Sequence, residues 1–403
     1  MTTRLETVLT RDSDRYRAFL AEIAERSRGR EEQLEGFTDL VELLRSSGFS
    51  AFRVPVEYGG SGGSIEDLLA IVADIAQVNP NLAHIVRTHF AFVEARLRST
   101  RERERAYWLR RAAAGELFAN LAGELSASAV GRLRVEKFST TVTSDATGRH
   151  LSGEKFYSTG SPYVDLLAVS ASVASDGRSV TAVVPRRREG VRLLHDWDGF
   201  GQRLTGSGTT VFDDVAVGDD ELIEDGEGSG TDLNYYVLGQ IYILAMQVGI
   251  LRGVVDDGIA LLRSRTRNFS TALAADPVND PQLWRVVGEL ASVAALAGDL
   301  VRSAARAFDR AMATVLARDP DPSLAREFAV RIARAKVVID QAGPYAANLL
   351  FDLGGASSTR GRLNLDRHWR NIRTVSTHNP AATKARLLGQ FLIDEELESP
   401  ALW

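Results

Sequence analysis

The sequence predicts a mostly α-helical chain with a central β domain, and three observations carry that prediction. Apolar residues recur at helical spacing up to about residue 117 and again beyond about residue 231. Between those limits short runs alternate at period 2. The clearest lies within Asp165 to Val173, where Leu167, Val169, Ala171 and Val173 alternate with Leu166, Ala168, Ser170 and Ser172. At 403 residues with 44% hydrophobic side chains, the chain is too long for one small core and supports two or three packed units. It divides into an N-terminal helical domain over 1–117, a middle β domain over 118–230 and a C-terminal helical bundle over 231–403.

From about Thr10 to Ser47 a highly charged segment sets Phe19, Leu20, Ile23, Leu34, Leu40, Leu43 and Leu44 at helical spacing, which predicts amphipathic surface helices. Phe52 to Gly63 breaks that pattern, and Ser64 with Asp67 three residues on signals a new helix start. Leu68, Ile71, Val72 and Ile75 mark its apolar face, and Asn79-Pro80 ends it. The next helix, Asn81 to about Leu97, carries His84 and His89. Five residues turn a helix by roughly 140°, so these imidazoles face apart and do not share a metal.

The β domain reads as Thr140 to Ser144, a Thr147-Gly148 turn, the run ending at Val173, a Ser175-Asp176-Gly177 turn, Ser179 to Pro185, and Thr209 to Val215. This spacing predicts a small antiparallel barrel or sandwich. Long periodic segments return at Tyr235 to Arg267, Pro281 to Leu316 and Ser323 to Leu353, punctuated by Pro277, Pro281, Pro320 and Pro322. A Gly-rich loop, Gly354 to Thr359, follows them, and a last helix runs from about Ala381 to Ile393.

Composition removes whole classes of function. With 53 acidic and 48 basic side chains the net charge is −5, so there is no global positive field for nucleic acid or anionic lipid. The absence of cysteine excludes disulfides, thiolate nucleophiles and Cys-type metal sites, and no metal site is expected. No apolar leader run follows Met1, which gives a cytoplasmic expectation. The uncharged run from Leu233 to Leu251 carries Asn234, Gln240 and Gln247 and reads as a helix buried in protein, with no membrane span.

The polar knot Gly153-Glu154-Lys155-Phe156-Tyr157-Ser158-Thr159-Gly160-Ser161 precedes the clearest strand. Its hydroxyls surround a glycine that permits close backbone approach, an arrangement suited to a planar polar ligand or to an ordinary turn. Together with Val54-Pro55-Val56-Glu57-Tyr58-Gly59-Gly60, Phe212-Asp213-Asp214-Val215 and Leu353-Gly354-Gly355, in this order along the chain, it resembles the acyl-CoA dehydrogenase superfamily. The resemblance implies that family's fold: an N-terminal helical domain, a middle β-barrel and a C-terminal four-helix bundle. A flavin is expected between barrel and bundle.

A dehydrogenase of that family needs a carboxylate base, from the turn before the last helix or from the helix opening the bundle. Neither Arg367 to Ile393 nor Leu233 to Val255 contains Asp or Glu. The stretch Trp369-Arg370-Asn371-Ile372-Arg373-Thr374, then Thr377-His378-Asn379-Pro380, instead resembles the superfamily's flavin-dependent monooxygenases, the dibenzothiophene monooxygenase-like enzymes and amino-sugar N-oxygenases (nitrososynthases). Asn379 stands where that branch usually has Asp. Gly201 to Thr209 resembles the same branch.

This resemblance implies a two-component flavin-dependent monooxygenase. A separate NAD(P)H:flavin reductase would supply reduced FMN or FAD, and O2 would give a C4a-hydroperoxyflavin that oxygenates a small organic substrate at N, S or C. By resemblance the catalytic positions are His378, His89, Ser158 and Asn120, with Ser158 near the flavin N5. Phe118, Phe156, Ser158, Ser161 and Arg373 fall along the cofactor. Arg265 or Arg267 would meet its phosphate, beside a loop of Gly354, Gly355, Ala356 and Ser357 lent by a neighbouring subunit of a homotetramer. Two further readings are an acyl-CoA dehydrogenase with an atypical base and a non-catalytic family member.

Overall fold

Side-chain caps set several helix starts where the sequence signals them. In the computed structural model of the chain, which describes residues 11, 13–125, 137–224 and 235–394, the first helices are α1 (Asp14–Ser27), α2 (Arg30–Gln33), α3 (Thr38–Ser46) and α4 (Ile65–Val78). Ser64 caps α4 by accepting the Asp67 N–H. Asn79 ends α4 and caps α5 (Pro80–Ile85), with Pro80 in the first turn where no N–H is needed. Val86 then breaks the helix predicted over Asn81 to Leu97, at φ −90° and ψ 0°, and α6 (Arg87–Arg98) and α7 (Glu102–Ala113) follow. Thr10, Leu233, Asn234 and the boundary at 230–231 lie outside the described residues.

The middle strands are β1 (Phe118–Leu121), β2 (Thr141–Asp145), β3 (Gly148–Lys155), β4 (Leu166–Val173), β5 (Ser179–Pro185), β6 (Val191–Leu193), β7 (Thr210–Val217) and β8 (Leu222–Glu224). They form one sheet in the order β6-β7-β3-β2-β4-β5-β8, with β1 on β4. The sequence predicts antiparallel pairing throughout, whereas β1 and β2 both run parallel to β4. Parallel neighbours need connections longer than a hairpin, and alternation within a strand carries no information about its partner's direction.

The bundle consists of α8 (Tyr235–Ser264), α9 (Pro281–Leu316), α10 (Pro322–Leu349), α11 (Asp366–Ser376) and α12 (Ala381–Asp394). Asp280 and Asp321 cap α9 and α10, each ahead of a proline. The window Leu238–Ser264 of α8 is long and apolar enough to cross a membrane, yet 89% of its most apolar stretch is buried against the rest of the chain. It packs on α4, α9, α10 and α11. The segment read from sequence as the turn before the last helix contains helix α11, whose buried His368, Asn371, Ile372 and Val375 fall at helical spacing. One hydrophobic core runs continuously from Tyr16 through the sheet to Val375, fixing the three parts against one another.

Candidate active site

The break at Val86 decides what the N-terminal helices present. It brings the Ile85 carbonyl against the polar knot, so that a Cβ at Gly160 would lie 2.4 Å from that oxygen. Only glycine, here at φ +84°, allows this approach. His84 and Arg87 lie on either side of the break. The buried His84 Nδ1 sits 3.1 Å from Gln202 Oε1. Gln202 in turn donates from Nε2 to Asn371 Oδ1 over 3.1 Å and from its backbone N over 2.7 Å.

That chain of donors and acceptors fixes a tautomer. Because the Gln202 amide donates to Asn371, its oxygen faces His84, so Nδ1 carries the proton and Nε2 is the acceptor. Nε2 is buried with no hydrogen-bond partner among the described residues. Burial first, then the charge of Arg87 and the proximity of His378, hold the His84 pKa well below its ordinary value, despite the Gln202 bond. A neutral imidazole thus presents a lone pair on a stated atom.

The supports of Gln202 come from three elements. Gly201 lies so close to α11 that a Cβ there would fall 2.1 Å from the Arg370 carbonyl. Gln202 adopts φ +53°, rare for a residue with a side chain, and is fully buried. Asn81 Oδ1 accepts the Leu204 N–H at 3.2 Å, and Asn371 Nδ2 lies 3.4 Å from Glu31, which pairs with Arg370 at 2.8 Å. The Arg370-Asn371 part of the sequence motif therefore acts through Gln202, one residue removed from the imidazole.

His378 follows the end of α11. It keeps an exposed surface. Burial, then the charges of Arg87 and Lys336, push its pKa down to about 3, opposed by a bond with Asn379. Access to solvent tempers that shift, but its direction leaves His378 neutral near pH 7. His378 lies near enough to His84 to depress its pKa.

The polar knot adds further polar groups. Ser158 is buried, its backbone N–H bonded to the Gly208 carbonyl at 3.0 Å and its hydroxyl donating to the Lys155 carbonyl at 3.2 Å, which leaves the oxygen able to accept. Thr159, Ser207 and Thr205 join hydroxyl to hydroxyl at 2.8 and 2.7 Å. Ser161 Oγ is buried without a hydrogen-bond partner among the described residues. Tyr157, at φ +55°, stands 67% exposed beside Trp197. Phe156 is half-buried and tied through its N–H to the Gly123 carbonyl at 3.0 Å, and Asn120 is half-buried on β1.

Two residues expected along the site lie elsewhere. His89 has no exposed surface, is stacked on Phe118 with ring centroids 5.8 Å apart, and places Nε2 2.9 Å from the Ser50 carbonyl; burial lowers its pKa to about 4. Phe118 is sandwiched between His89 and Phe92, fully buried. Both belong to the aromatic core, and it is His84, just before the helix break at Val86, that reaches Gln202.

The phosphate candidates gather at the far end of α8. Arg265 donates to the Leu353 carbonyl at 2.5 Å and to Asn268 at 3.4 Å, pinning the chain just before Gly354, while Arg267 is exposed. Gly355 at φ +56° opens a short helical turn through Ala356 and Ser357, both exposed. Arg373 is exposed and bonds Ser376 Oγ at 3.2 Å. From Gly239, beside Arg87, to Ser264 is roughly 37 Å along the helix axis at 1.5 Å per residue. One bound flavin therefore does not bridge both ends within a chain. An open surface groove over Glu102, Tyr107, Arg110 and Glu116 shares none of these residues.

Sequence reasoning did not single out His84, Gln202, Arg87 or Tyr157 as candidates. The signal for Gln202 was present in the Gly201 to Thr209 stretch, but a glutamine becomes informative only when its partners are known. His84 was hidden by the expectation of an unbroken helix.

Family models described as the acyl-CoA dehydrogenase N-terminal and C-terminal domains match residues 13–116 and 241–382. The chain is 27% identical over 366 residues to the probable FMNH2-dependent monooxygenase SfnC of Pseudomonas putida, covering 90% of this chain and 89% of that protein. It is 29% identical over 380 residues to a dibenzothiophene monooxygenase of Mycolicibacterium goodii, with 90% and 89% covered. The crystal structure of FMN-bound TdsC from Paenibacillus sp. A11-2 superposes with a TM-score of 0.83 at 26% identity, covering 95% of this chain and 98% of that one.

Proposed function

The chain belongs to the acyl-CoA dehydrogenase superfamily, in its flavin-dependent monooxygenase branch, and we propose that it is the oxygenase of a two-component system. A separate NAD(P)H:flavin reductase delivers reduced FMN to it in the cytoplasm, and O2 supplies one atom to a small organic substrate. The observation that supports this reading is the neutral His378 at the end of α11, in the turn before the last helix where a dehydrogenase would need its carboxylate, with a neutral His84 near it. Residues 367–393 contain neither Asp nor Glu.

The residues present fit a flavin. Two buried polar atoms, His84 Nε2 and Ser161 Oγ, lack partners among the described residues, and each left so costs about 1–3 kcal/mol that a polar ligand there would offset. Ser158, Ser161, Phe156 and Asn120 would line the ring. The exposed Arg267 with Gly354, Gly355, Ala356 and Ser357 would hold the phosphate of a flavin seated mainly in a neighbouring copy, and the exposed Arg373 would assist. When bound, reduced FMN supplies the electrons that activate O2. The protein's part is proton handling: His84 Nε2 accepts, His378 relays near it, and the Gln202–Asn371 pair keeps the first imidazole in one tautomer.

The test is an anaerobic titration. Reduced FMN should bind, and addition of an acyl-CoA to protein loaded with oxidised flavin should leave the absorbance unchanged. Flavin reduction by the thioester would establish the dehydrogenase reading, and absence of any reduced-flavin affinity the non-catalytic one.

A further inference from the structure

Helix α2 is only four residues long, and left-handed residues flank it on both sides, Gly29 at φ +76° and Leu34 at φ +55°. A side chain resists that conformation, so Leu34 holds it only because its surroundings do. Arg30 pins the turn with two bonds to Asp39, at 2.5 and 2.8 Å, and a third to the Gly36 carbonyl at 3.0 Å. The next side chain, Glu31, is 12% exposed in a segment otherwise rich in solvated charge. Its partners lie far away in sequence.

Arg370 on α11 donates to Glu31 Oε1 at 2.8 Å. The other oxygen, Oε2, lies 3.4 Å from Asn371 Nδ2 and 3.5 Å from Asn81 Nδ2, two amides that are 1 and 2% exposed. Each amide turns its own oxygen to the same loop. Asn371 Oδ1 accepts the Gln202 backbone N–H at 2.7 Å and its Nε2 at 3.1 Å, and Asn81 Oδ1 accepts the Leu204 N–H at 3.2 Å. A backbone N–H only donates and a carboxylate only accepts, so both amides are held between groups of fixed polarity and neither can flip. One carboxylate oxygen thus anchors two bridges to a loop whose Gln202, at φ +53°, does not favour that conformation by itself. At the far end of the bridge Gln202 Oε1 stands 3.1 Å from His84 Nδ1.

We propose that Glu31 is a positioning residue for the proton acceptor: acting through Asn371 and Asn81, it holds Gln202 against His84 and so keeps the imidazole proton on Nδ1 and the Nε2 lone pair free. What Nε2 then accepts rests on the oxygenase reading; the tautomer itself does not. Without the carboxylate two buried amide NH2 groups lose their acceptor, Asn81 and Asn371 shift to find another, and Gln202 relaxes from its left-handed backbone. His84 Nδ1 then loses its partner. The proton distributes over both ring nitrogens, and Nε2 becomes a donor for part of the time. Arg370 keeps Asp366 at 2.8 Å and the Phe200 carbonyl at 3.2 Å, so the loss of Glu31 does not release α11.

The experiment reads the tautomer by 15N NMR of the full chain labelled in its six histidines, with the His84 signals identified by their absence in His84→Gln. Near neutral pH the wild type should show one protonated nitrogen, Nδ1, and one lone-pair nitrogen, Nε2. Glu31→Ala should move both signals toward intermediate, averaged positions, and Glu31→Gln, which keeps one acceptor oxygen, should move them measurably but less. Asp74→Asn is the control for stability alone. Asp74 accepts Arg11, Tyr16 and Arg252 at 2.8, 2.9 and 2.9 Å and ties α1 to α4 and α8 without touching the relay, so its variant should lower Tm and leave His84 unchanged. A wild type protonated on Nε2, an unchanged His84 in Glu31→Ala, or an equal change in Asp74→Asn would each overturn the proposal; should Glu31→Ala not fold, an unchanged His84 in Glu31→Gln does so. The spectra need neither flavin nor O2, so their failure leaves the oxygenase reading intact, whereas absence of reduced-FMN binding in the wild type would strike that reading and leave the tautomer assignment standing.

Discussion

Removing the imidazole of His84 should act on chemistry, and removing that of His89 on stability. His84→Ala leaves the Gln202 oxygen unanswered and takes away the Nε2 acceptor, so product formed should fall by roughly 10²–10⁴ while O2 consumption continues as peroxide release. His378→Ala should do the same, with reduced-FMN affinity within a few fold. His89→Ala instead opens a void in the aromatic core and should cost roughly 2–5 kcal/mol in denaturant melts without changing product yield per O2. The sign of its pH effect follows from a folded pKa lowered to about 4 from 6.5. The unfolded chain takes the proton first, so stability is full above about 6.5 and declines as pH falls toward 4. Ser158→Ala should leave folding nearly intact, since one hydrogen bond is worth roughly 0.5–1.5 kcal/mol net, and should hasten peroxide release. At this scale the sequence revealed residue types better than neighbours. Two histidines five apart were visible, but which one reaches Gln202 depends on a two-dihedral break at Val86.

Among elements, the link between β1 and β3 is the most exposed to test. Lys155 on β3 and Glu124, just past β1, pair at 2.6 Å with side-chain exposures of 0 and 4%, under the ring of Phe138. Burial opposes both charges. For Glu124 the bonds from Lys155, Ser139 and Thr140 prevail and hold its pKa at about 2, whereas for Lys155 burial prevails and lowers the pKa. The carboxylate's contribution is thus present above its ordinary 4.5 and lost as pH falls toward 2. Glu124→Gln should cost about 3–5 kcal/mol at neutral pH, by leaving a buried ammonium, and should flatten the acid limb between those values. Equal acid sensitivity in variant and wild type would refute that assignment. Helix ends were legible because Ser64, Asn79, Asp280 and Asp321 cap them by local chemistry. Strand direction was not, because it is settled by partners distant in sequence. Helix α11 was legible in its apolar spacing but was obscured by its four charged residues.

For the whole molecule, the apolar residues left outside the bundle point to further copies. Trp284, Leu296, Tyr345 and Leu392 are 55, 50, 56 and 61% exposed. A homotetramer would cover them and would bring the Arg267 and Gly354 region of one copy to the His84 cleft of another, across the roughly 37 Å that separates them in one chain. Light scattering should find a multiple of 43.9 kDa; a stable monomer at that mass would remove the shared flavin site. The central claim, that this cleft manages O2 activated by reduced flavin, is tested most directly by the rate of peroxide appearance. Protein loaded with reduced FMN, without substrate, is mixed rapidly with O2 and H2O2 is measured against free reduced FMN. Peroxide should emerge much more slowly from the protein, and His84→Ala should remove most of that delay. Release as fast as from free flavin would contradict the account.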